Sequence, residues 1–260
     1  MIINIDRLVE HIADYISGEI KSANKNGVVI PVSGGLNSTV AAVLCKQANI
    51  PFFAFHLWYD TGVLESCHET LKPDNVDFAV FEQKDNKDIF DYDDCLESFR
   101  AGIVGAFCNN YSNKHNYLVL GDLCRTKSNL VRRYIKRFND SADIYPFADL
   151  YNSELLQIAK DIVKYRGDMP WRGTSELHPK NIAHEERLHL TFSDIEWADK
   201  ENLKNHIFDF HPVNSTPLWY KYTLIQKEVL SRIQQIEMRT RHKKLWKPVL
   251  RLRNNKGMVE

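Results

Sequence analysis

The stretch 28-VVIPVSGGLNSTVAAVLC-45 decides the fold of this chain. It opens with an apolar run, passes through a Ser-Gly-Gly turn, and continues as a second apolar segment at helical spacing. Apolar runs bounded by glycine are typical of buried strands. The pattern therefore predicts a strand over residues 28–32, a tight turn, and a helix from Ser38 to about Gln47.

The turn between that strand and helix has the composition of an anion-binding loop. Gly34 and Gly35 lack Cβ atoms and allow close backbone approach, while the Ser33 and Ser38 hydroxyls offer hydrogen bonds. Backbone N–H groups and the helix dipole at such a junction favour a bound phosphate. The alternative is that Ser-Gly-Gly occurs in this strand–turn–helix unit by chance.

Further apolar runs alternate with helical patterns along the first half of the chain. Alternation of this kind predicts βαβ units, hence an α/β fold with a doubly wound parallel sheet of about five strands and ligands at the carboxyl ends of the strands. The other predicted strands are 52–57, 76–81 and 117–121. The other predicted helices of this half are 5–22 and 92–111. The segment 23-ANKNG-27, with Gly27 as a turn residue, ends the first of these helices.

The second half is predicted to be mainly helical. One helix is expected over 153–167, with a serine-acid start signal, and another over 217–240, opened by Pro217 at its first turn. The loop from 167 to 189 has the length of a functional lid. No linker divides the chain, so we expect a single domain over residues 1–260 with a basic tail from about 239.

Composition limits the function classes. Lys plus Arg and Asp plus Glu number 34 each, so no global charge draws the chain toward nucleic acid or membrane. No apolar run approaches the roughly 20 residues needed to span a bilayer, and the N-terminus lacks a signal-peptide pattern. The five cysteines form no CxxC pair. Free thiols in a reducing cytosol, and hence a cytoplasmic protein, are expected.

Four segments of the sequence carry a resemblance to a known family. The run SGGLNS resembles the SGGxDS signature of the ATP pyrophosphatases. Residues 117–160 and 174–197 are similar, in order, to blocks of the NAD synthetases, and 231–248 resembles the C-terminal segment of those enzymes. The chain thus resembles the ammonia-dependent NAD synthetase family, which implies an adenine nucleotide alpha hydrolase-like fold with a helical C-terminal part.

The resemblance implies a reaction. Such enzymes adenylate the nicotinate carboxylate of deamido-NAD with ATP and Mg²⁺, release pyrophosphate, and let ammonia attack the acyl-adenylate to form NAD. No extra amidase domain fits within 260 residues, so free ammonia or a partner supplying it is expected. The resemblance also implies a homodimer. Its alternatives are a superfamily member that adenylates a different acceptor, or a catalytically impaired nucleotide-binding homologue.

The resemblance assigns site residues by their positions in these blocks. The expected ATP-binding residues are Ser33, Gly34, Gly35, Asn37, Ser38, Gly121, Thr126 and Lys127. The expected catalytic residues are Ser33, Asn37 and Thr174. The expected substrate-binding residues are Arg100, Asp140, Asp143 and Glu185, and the metal is assigned to Asn37 and Asn129.

Three asparagines depart from the family pattern. Asn37 and Asn129 stand where the family has metal-binding carboxylates, and Asn152 stands where it has a phosphate-contacting lysine. An amide oxygen can ligate a hard cation, but it brings no formal charge. We therefore expect Mg²⁺ to be weakened at the protein or to arrive with ATP.

Other departures leave alternatives open. Gly102 and Gly105, on the helix that contributes to the family's dimer interface, fit either a closer helix contact or a loosened helix. Eight basic residues accompany Trp246 between Arg239 and Lys256. They fit an RNA-binding segment less well than a solvated tail or one that folds over the site. A metal site among the histidines of the lid is disfavoured, because His184 and His189 have poor helical spacing.

Overall fold

The structure is a computed structural model. It describes residues 4–33, 35–55, 93–130, 142–166, 185, 188–209, 212–240, 253–254 and 257–258. The helices are α1 (Ile5–Ser22), α2 (Leu36–Gln47), α3 (Asp93–His115), α4 (Arg125–Ser128), α5 (Asn152–Arg166), α6 (Phe192–Asn205) and α7 (Leu224–Thr240). The strands are β1 (Val28–Pro31), β2 (Phe52–Phe55), β3 (Leu118–Val119), β4 (Arg253–Asn254) and β5 (Gly257–Met258).

The three strands β2, β1 and β3 form a parallel sheet in that spatial order. Val29 of β1 lies opposite Phe53 on one side and Val119 on the other. A parallel bridge between Leu120 and Ile144 continues the sheet beyond β3. The parallel α/β arrangement is confirmed by these pairings, whereas the predicted strand 76–81 falls outside the described residues.

Both faces of the sheet are covered, as a doubly wound arrangement requires. Side chains alternate along a strand, so Val28 and Ile30 face one layer and Val29 faces the other. The first layer contains the apolar faces of α1, α2 and α5. The second contains α3, whose Phe107 stacks on Phe55 at 4.0 Å between ring centroids.

Helix α1 has the predicted bounds because its apolar spacing is regular. Leu8, Ile12, Ile16 and Ile20 recur every four residues and are all buried. The Asn4 side chain accepts a hydrogen bond from the Arg7 backbone and caps the first turn.

Gly27, predicted as a turn residue, has a different function. A Cβ there would lie 2.4 Å from the Pro51 carbonyl oxygen, which is far inside the normal contact distance. Glycine therefore permits close backbone packing at the start of β1.

A separate apolar cluster lies between α6 and α7 and the three short 3₁₀ helices Ile207–Asp209, Val213–Ser215 and Trp219–Lys221. The prediction that Pro217 opens the last helix is wrong. Helix α7 begins at Leu224, where Thr223 and Gln226 form reciprocal side-chain-to-backbone hydrogen bonds. This capping box fixes the helix start, and the residues before it form a 3₁₀ turn.

The described part of the chain contains no helix that is both long and apolar enough to cross a bilayer. Cys45, Cys108 and Cys124 are buried free thiols, which agrees with the expectation for these three cysteines. Burial raises the pKa of Cys45 and of Cys108 to about 12. These two thiols are therefore packing residues rather than nucleophiles.

Candidate functional site

The predicted strand–turn–helix unit is present, and serine hydroxyls stabilise it. The Ser33 backbone N–H donates to Ser38 Oγ at 3.2 Å, and the two hydroxyl oxygens lie 3.2 Å apart. Ser38 Oγ also donates to the Gly35 carbonyl at 3.3 Å. These bonds fold the turn back onto the first turn of α2. Gly34 lies outside the described residues.

Helix α2 begins at the carboxyl end of β1 with an uncapped N-terminus. Its N-cap residue is Gly35, which provides no side-chain hydrogen bond to the first turn. The positive end of the helix dipole is therefore not compensated by a capping side chain of its own. This arrangement suits an anion such as a phosphate, and the ATP-binding assignment of the loop stays a prediction.

Asn37 is buried at the start of α2, with 4% of its surface exposed. Its Nδ2 donates to the Asp122 carbonyl at 2.7 Å. Only the amide nitrogen can donate to a carbonyl, so this contact fixes the orientation of the amide. The opposite atom, Oδ1, is buried and has no hydrogen-bond partner among the described residues.

Asn152 repeats this feature at the start of α5. It is 5% exposed, and its backbone N–H donates to Thr126 Oγ1 at 2.8 Å. Its side-chain Oδ1 is also buried and lacks a partner within the described part of the chain. In that part of the structure, two buried amide oxygens at two helix N-termini thus remain without a donor.

Buried Glu196 of α6 holds the junction between α4 and α5. Its Oε1 accepts a hydrogen bond from Thr126 Oγ1 at 2.9 Å, and its Oε2 accepts one from Ser153 Oγ at 2.7 Å. The serine-acid signal predicted for the start of α5 forms only in part. Glu154 accepts a hydrogen bond from the Tyr151 backbone N–H at 2.8 Å, whereas Ser153 contacts Glu196. Thr126 is 1% exposed, so its hydroxyl contacts protein in this conformation.

A second buried network joins α4 to α6 through Arg125. Its guanidinium pairs with Asp149 at 2.6 Å and with Asp199 by a short contact from Nε. Asp199 also accepts from Asn129 Nδ2 at 2.5 Å and from the Tyr151 hydroxyl at 2.9 Å. Burial alone would lower the pKa of Arg125, but the charge of Asp199 and its hydrogen bond raise this pKa above its ordinary value.

Other predicted site residues occupy structural positions. A Cβ on Gly121 would lie 2.3 Å from the ring of Tyr145, so glycine is needed there for packing. Lys127 Nζ lies 5.3 Å from the centroid of the Phe192 ring. Their assignments to ATP stay predictions.

The predicted substrate residues are spread over the fold. Asp143 Oδ2 accepts a hydrogen bond from the Val119 backbone at 2.7 Å, beside β3. Glu185 Oε1 accepts one from the Phe192 backbone at 2.7 Å, at the start of α6. Arg100 lies on α3, but only its backbone is described. Asp140 and Thr174 lie outside the described residues.

The described residues do not fit a Mg²⁺ ion held by protein carboxylates. They contain no group of three or more acidic, histidine or cysteine side chains placed to hold a metal. Asn129 presents an N–H group to Asp199, and Asn37 offers one neutral oxygen at a positive helix end. Metal ligation by Asn37 and Asn129 stays a prediction, and no reaction step is assigned to a protein-held metal.

Sequence reasoning missed Glu196 and Asp199. They lie three residues apart on α6, next to the buried residues Ile195 and Ala198. Acidic residues on the apolar stripe of a helix are a signal of buried partners, because unpaired charges are rarely buried. Their partners near residue 125 are some 70 positions away, as for Thr126 and Glu196, and local patterns do not reveal them.

Comparison with known proteins places this geometry in context. A family model described as NAD synthase matches residues 8–59. The chain is 26% identical to an NH(3)-dependent NAD(+) synthetase of Archaeoglobus fulgidus, over 96% of this chain and 99% of that protein. It is also 26% identical to the enzyme of the same name from Staphylothermus marinus, over 95% and 93%.

Solved structures show the same fold. An NMN synthetase from Francisella tularensis superposes with a TM-score of 0.66 at 18% identity, covering 98% of this chain and all of that one. An NH3-dependent NAD synthetase from Campylobacter jejuni gives 0.63 at 20% identity, covering 96% and all of that chain. The matches confirm that this chain resembles the ammonia-dependent NAD synthetase family in sequence and in fold over nearly its whole length.

Proposed function

We propose that the chain converts deamido-NAD to NAD with ATP and ammonia. The observation that carries this proposal is the near-full-length similarity to NH(3)-dependent NAD(+) synthetases, which covers 96% of this chain and 99% of one relative. The loop geometry supports it. The Ser33–Ser38 turn joins a strand end to an uncapped helix N-terminus, which is a site that suits a phosphate group.

The proposed reaction has two steps. A carboxylate oxygen of deamido-NAD attacks the α-phosphorus of ATP, the bond to the β-phosphate oxygen breaks, and pyrophosphate leaves. Ammonia then attacks the acyl carbon, AMP leaves with the bonding electron pair, and the nitrogen loses a proton to give the amide. Both steps require positioned reactants and stabilisation of phosphate charge more than acid–base side chains.

The residues of the chain have binding functions in this scheme. The backbone of the loop at 33–35 and the first turn of α2 bind the pyrophosphate part of ATP, with Ser38 maintaining the loop shape. Mg²⁺ bound to ATP would offset charge on the departing pyrophosphate. Glu196 orients Thr126 and the N-terminus of α5 through its hydrogen bonds to the Thr126 and Ser153 hydroxyls. A homodimer and a cytoplasmic location complete the proposal.

A second candidate is the same chemistry on a different acceptor. The three asparagines that replace charged residues of the family pattern motivate it, and one structural neighbour is an NMN synthetase. Deamidated nicotinamide mononucleotide is therefore the acceptor to compare with deamido-NAD. The third candidate is a nucleotide-binding protein without turnover.

One assay separates these three candidates. Purified protein is incubated with ATP, Mg²⁺ and ammonium, with either deamidated acceptor or none, while pyrophosphate and amide product are measured. Product from deamido-NAD alone supports the first candidate, and product from the mononucleotide alone supports the second. ATP binding without pyrophosphate release in any mixture supports the third and contradicts the proposed reaction.

A matched pair of serine variants tests the loop. Ser38 Oγ donates to the carbonyl three residues earlier, and so does Ser215 Oγ, which donates to Pro212 at 2.7 Å. Ser38→Ala also removes the acceptor of the Ser33 N–H, so we expect about a tenfold weaker ATP affinity. Ser215→Ala is the control, and equal effects of both variants on ATP affinity would contradict the loop assignment.

A further inference from the structure

We propose that Thr39 is a positioning residue of the ATP loop, and that it directs the Ser33 hydroxyl toward a bound phosphate through Ser38. The inference rests on the proposed function, because it concerns the phosphate that the loop would bind. It starts from a crowded carbonyl group at the N-cap of α2. The Gly35 carbonyl oxygen has three donors within hydrogen-bond distance: the Thr39 backbone N–H at 3.3 Å, Thr39 Oγ1 at 2.9 Å and Ser38 Oγ at 3.3 Å.

The three donors compete, because a carbonyl oxygen has only two lone pairs. The Thr39 hydroxyl is the closest of them. The Thr39 backbone N–H makes the first backbone hydrogen bond of α2, so the helix itself holds this donor in place. The Ser38 hydroxyl is therefore the donor that the Gly35 carbonyl binds least firmly.

The Ser38 hydroxyl has a second acceptor for its single proton. Its oxygen lies 3.2 Å from Ser33 Oγ, and either hydroxyl can be the donor in this contact. Two arrangements of the protons result. In the first, Ser33 donates to Ser38, and Ser38 donates to the Gly35 carbonyl. In the second, Ser38 donates to Ser33, and the Ser33 proton turns outward to a phosphate oxygen.

The change between these arrangements leaves the loop in place. In both, Ser38 Oγ accepts the Ser33 backbone N–H at 3.2 Å, and Ser33 Oγ accepts the Gly35 N–H at 3.4 Å. Ser33 is exposed, whereas Ser38 and Thr39 are 0% and 3% exposed, so Ser33 is the hydroxyl that can reach a ligand. A hydrogen bond from a hydroxyl to a phosphate is charge-assisted and stronger than one between neutral groups.

Thr39 shifts the balance between the two arrangements. By occupying the Gly35 carbonyl, it weakens the contact that keeps the Ser38 proton on Gly35 and the Ser33 proton on Ser38. Thr39 is itself buried, so it acts on the phosphate only through the two serines. Its hydroxyl thus prepares the loop to donate a hydrogen bond at the moment when a phosphate enters.

Thr39→Val tests this function, because valine has a similar shape and lacks the hydroxyl. We expect the affinity for inorganic pyrophosphate, measured by calorimetry, to fall about three- to tenfold, as for the loss of one hydrogen bond. Thr39→Ser keeps the hydroxyl and should bind as the wild type does. Thr39→Ala repeats the measurement if valine lowers the yield of folded protein. Wild-type affinity in the variants without the hydroxyl would overturn the proposal.

The matched control is Ser112→Ala. Ser112 is 7% exposed, and its hydroxyl donates to the Tyr117 carbonyl at 2.6 Å, near the amino end of β3. This variant also removes a buried hydroxyl that donates to a backbone carbonyl, but it does so at the opposite edge of the sheet from the loop. Its pyrophosphate affinity should be unchanged. A loss as large as that of Thr39→Val would mean that reduced stability explains both results, and would overturn the proposal.

A double-mutant cycle separates the positioning role from a purely structural one. Ser33→Ala removes the hydroxyl through which Thr39 acts. The double variant should therefore bind pyrophosphate as Ser33→Ala alone does, because no hydroxyl remains for Thr39 to direct. If the two losses add instead, Thr39 acts by a different route and the proposal fails.

Pyrophosphate binding and NAD formation are measured separately, so the two proposals can fail separately. Weaker binding in Thr39→Val, without NAD formation by the wild type, supports the positioning role and contradicts the proposed reaction. Equal affinities of wild type and Thr39→Val overturn the positioning role even where NAD is formed. If the wild type does not bind pyrophosphate, the loop assignment and the role of Thr39 are both wrong.

Discussion

Restoring a carboxylate at position 37 tests how this site is built. Asn37→Asp replaces the amide nitrogen, which donates to the Asp122 carbonyl at 2.7 Å, with a second oxygen. The variant therefore loses a hydrogen bond and places a carboxylate oxygen against a carbonyl oxygen. Because the residue is 4% exposed, water cannot compensate. From the sequence alone, the same change looks like a simple return to the family pattern.

The magnitude follows from two opposing effects. Leaving the Asp122 carbonyl without a donor and burying a poorly solvated carboxylate costs about 3 kcal/mol. An anion at the N-terminus of α2 recovers about 1 kcal/mol. The loss dominates, so we expect the free energy of unfolding to fall by about 2 kcal/mol at neutral pH. That is a large share of the total free energy of unfolding, which is about 5–15 kcal/mol for a typical domain.

The pH dependence has a definite sign. Burial raises the pKa of the introduced carboxyl group above its unfolded value of about 3.9. Between the unfolded and folded pKa values the native state binds more protons, so stability falls as pH rises through this window. In its protonated form, the introduced carboxyl group can also donate to the Asp122 carbonyl. Asn37→Asp should therefore lose less stability at acidic pH than at neutral pH.

Urea unfolding at acidic and neutral pH measures this effect. Asn37→Leu is the control, because it removes the donor without adding a charge and should show a loss without the pH dependence that the introduced carboxyl group brings. Wild-type stability of Asn37→Asp at both pH values would refute the contact with Asp122. If this variant instead tightens Mg²⁺–ATP binding or raises turnover, position 37 faces the metal.

Three other variants test the surrounding structure. Arg125→Met leaves buried Asp199 unpaired and should lower the unfolding free energy by about 3–5 kcal/mol in denaturant titration, whereas Arg125→Lys should lose less. Gly27→Ala sets a Cβ 2.4 Å from the Pro51 carbonyl oxygen and should cost about 1–3 kcal/mol, visible as a lower Tm. Thr223→Ala removes the cap of α7 and should cost about 1 kcal/mol in the same titration.

Local sequence patterns were sufficient to predict the elements that form the sheet and its first layer. Helix α1 matches its prediction because four isoleucine and leucine residues recur at helical spacing and all face the core. The turn between β1 and α2 was predicted because glycine and serine have distinct backbone and side-chain properties there. Helix α2 begins two residues earlier than predicted, at Leu36.

Competing local signals explain the error at the last helix. Pro217 fits the first turn of a helix, and apolar residues continue beyond it. Six residues later, Thr223 and Gln226 satisfy each other's backbone N–H groups, and that pairing sets the helix start. A proline permits a helix to begin, whereas a capping box stabilises the beginning at one residue.

The buried polar networks were beyond local reasoning for another reason. Thr126 and Ser153 both contact Glu196, and these residues come from three separate segments of the chain. Nothing near residue 126 indicates that a carboxylate 70 positions later will cover it. Packing of α6 against α4 brings these groups together, so the hydrogen bonds that support the site form only in the tertiary structure.

The three asparagines illustrate what tertiary structure adds to a resemblance. By sequence they look like one event, the loss of charge at a nucleotide site. In the fold they differ, because Asn129 donates to Asp199, Asn37 donates to Asp122 and keeps an orphaned oxygen among the described residues, and Asn152 keeps another. A carboxylate at position 129 would face Asp199 directly.

Charge therefore cannot be restored to the family pattern one residue at a time. Arg125 already pairs with Asp149 and Asp199, so a further acid beside it would add a buried negative charge without a new cation. The amide of Asn129 fits this network because it donates where a carboxylate would repel. The neutral side chain at position 129 is consequently part of how α4 and α6 pack together, and a carboxylate there would disturb that packing.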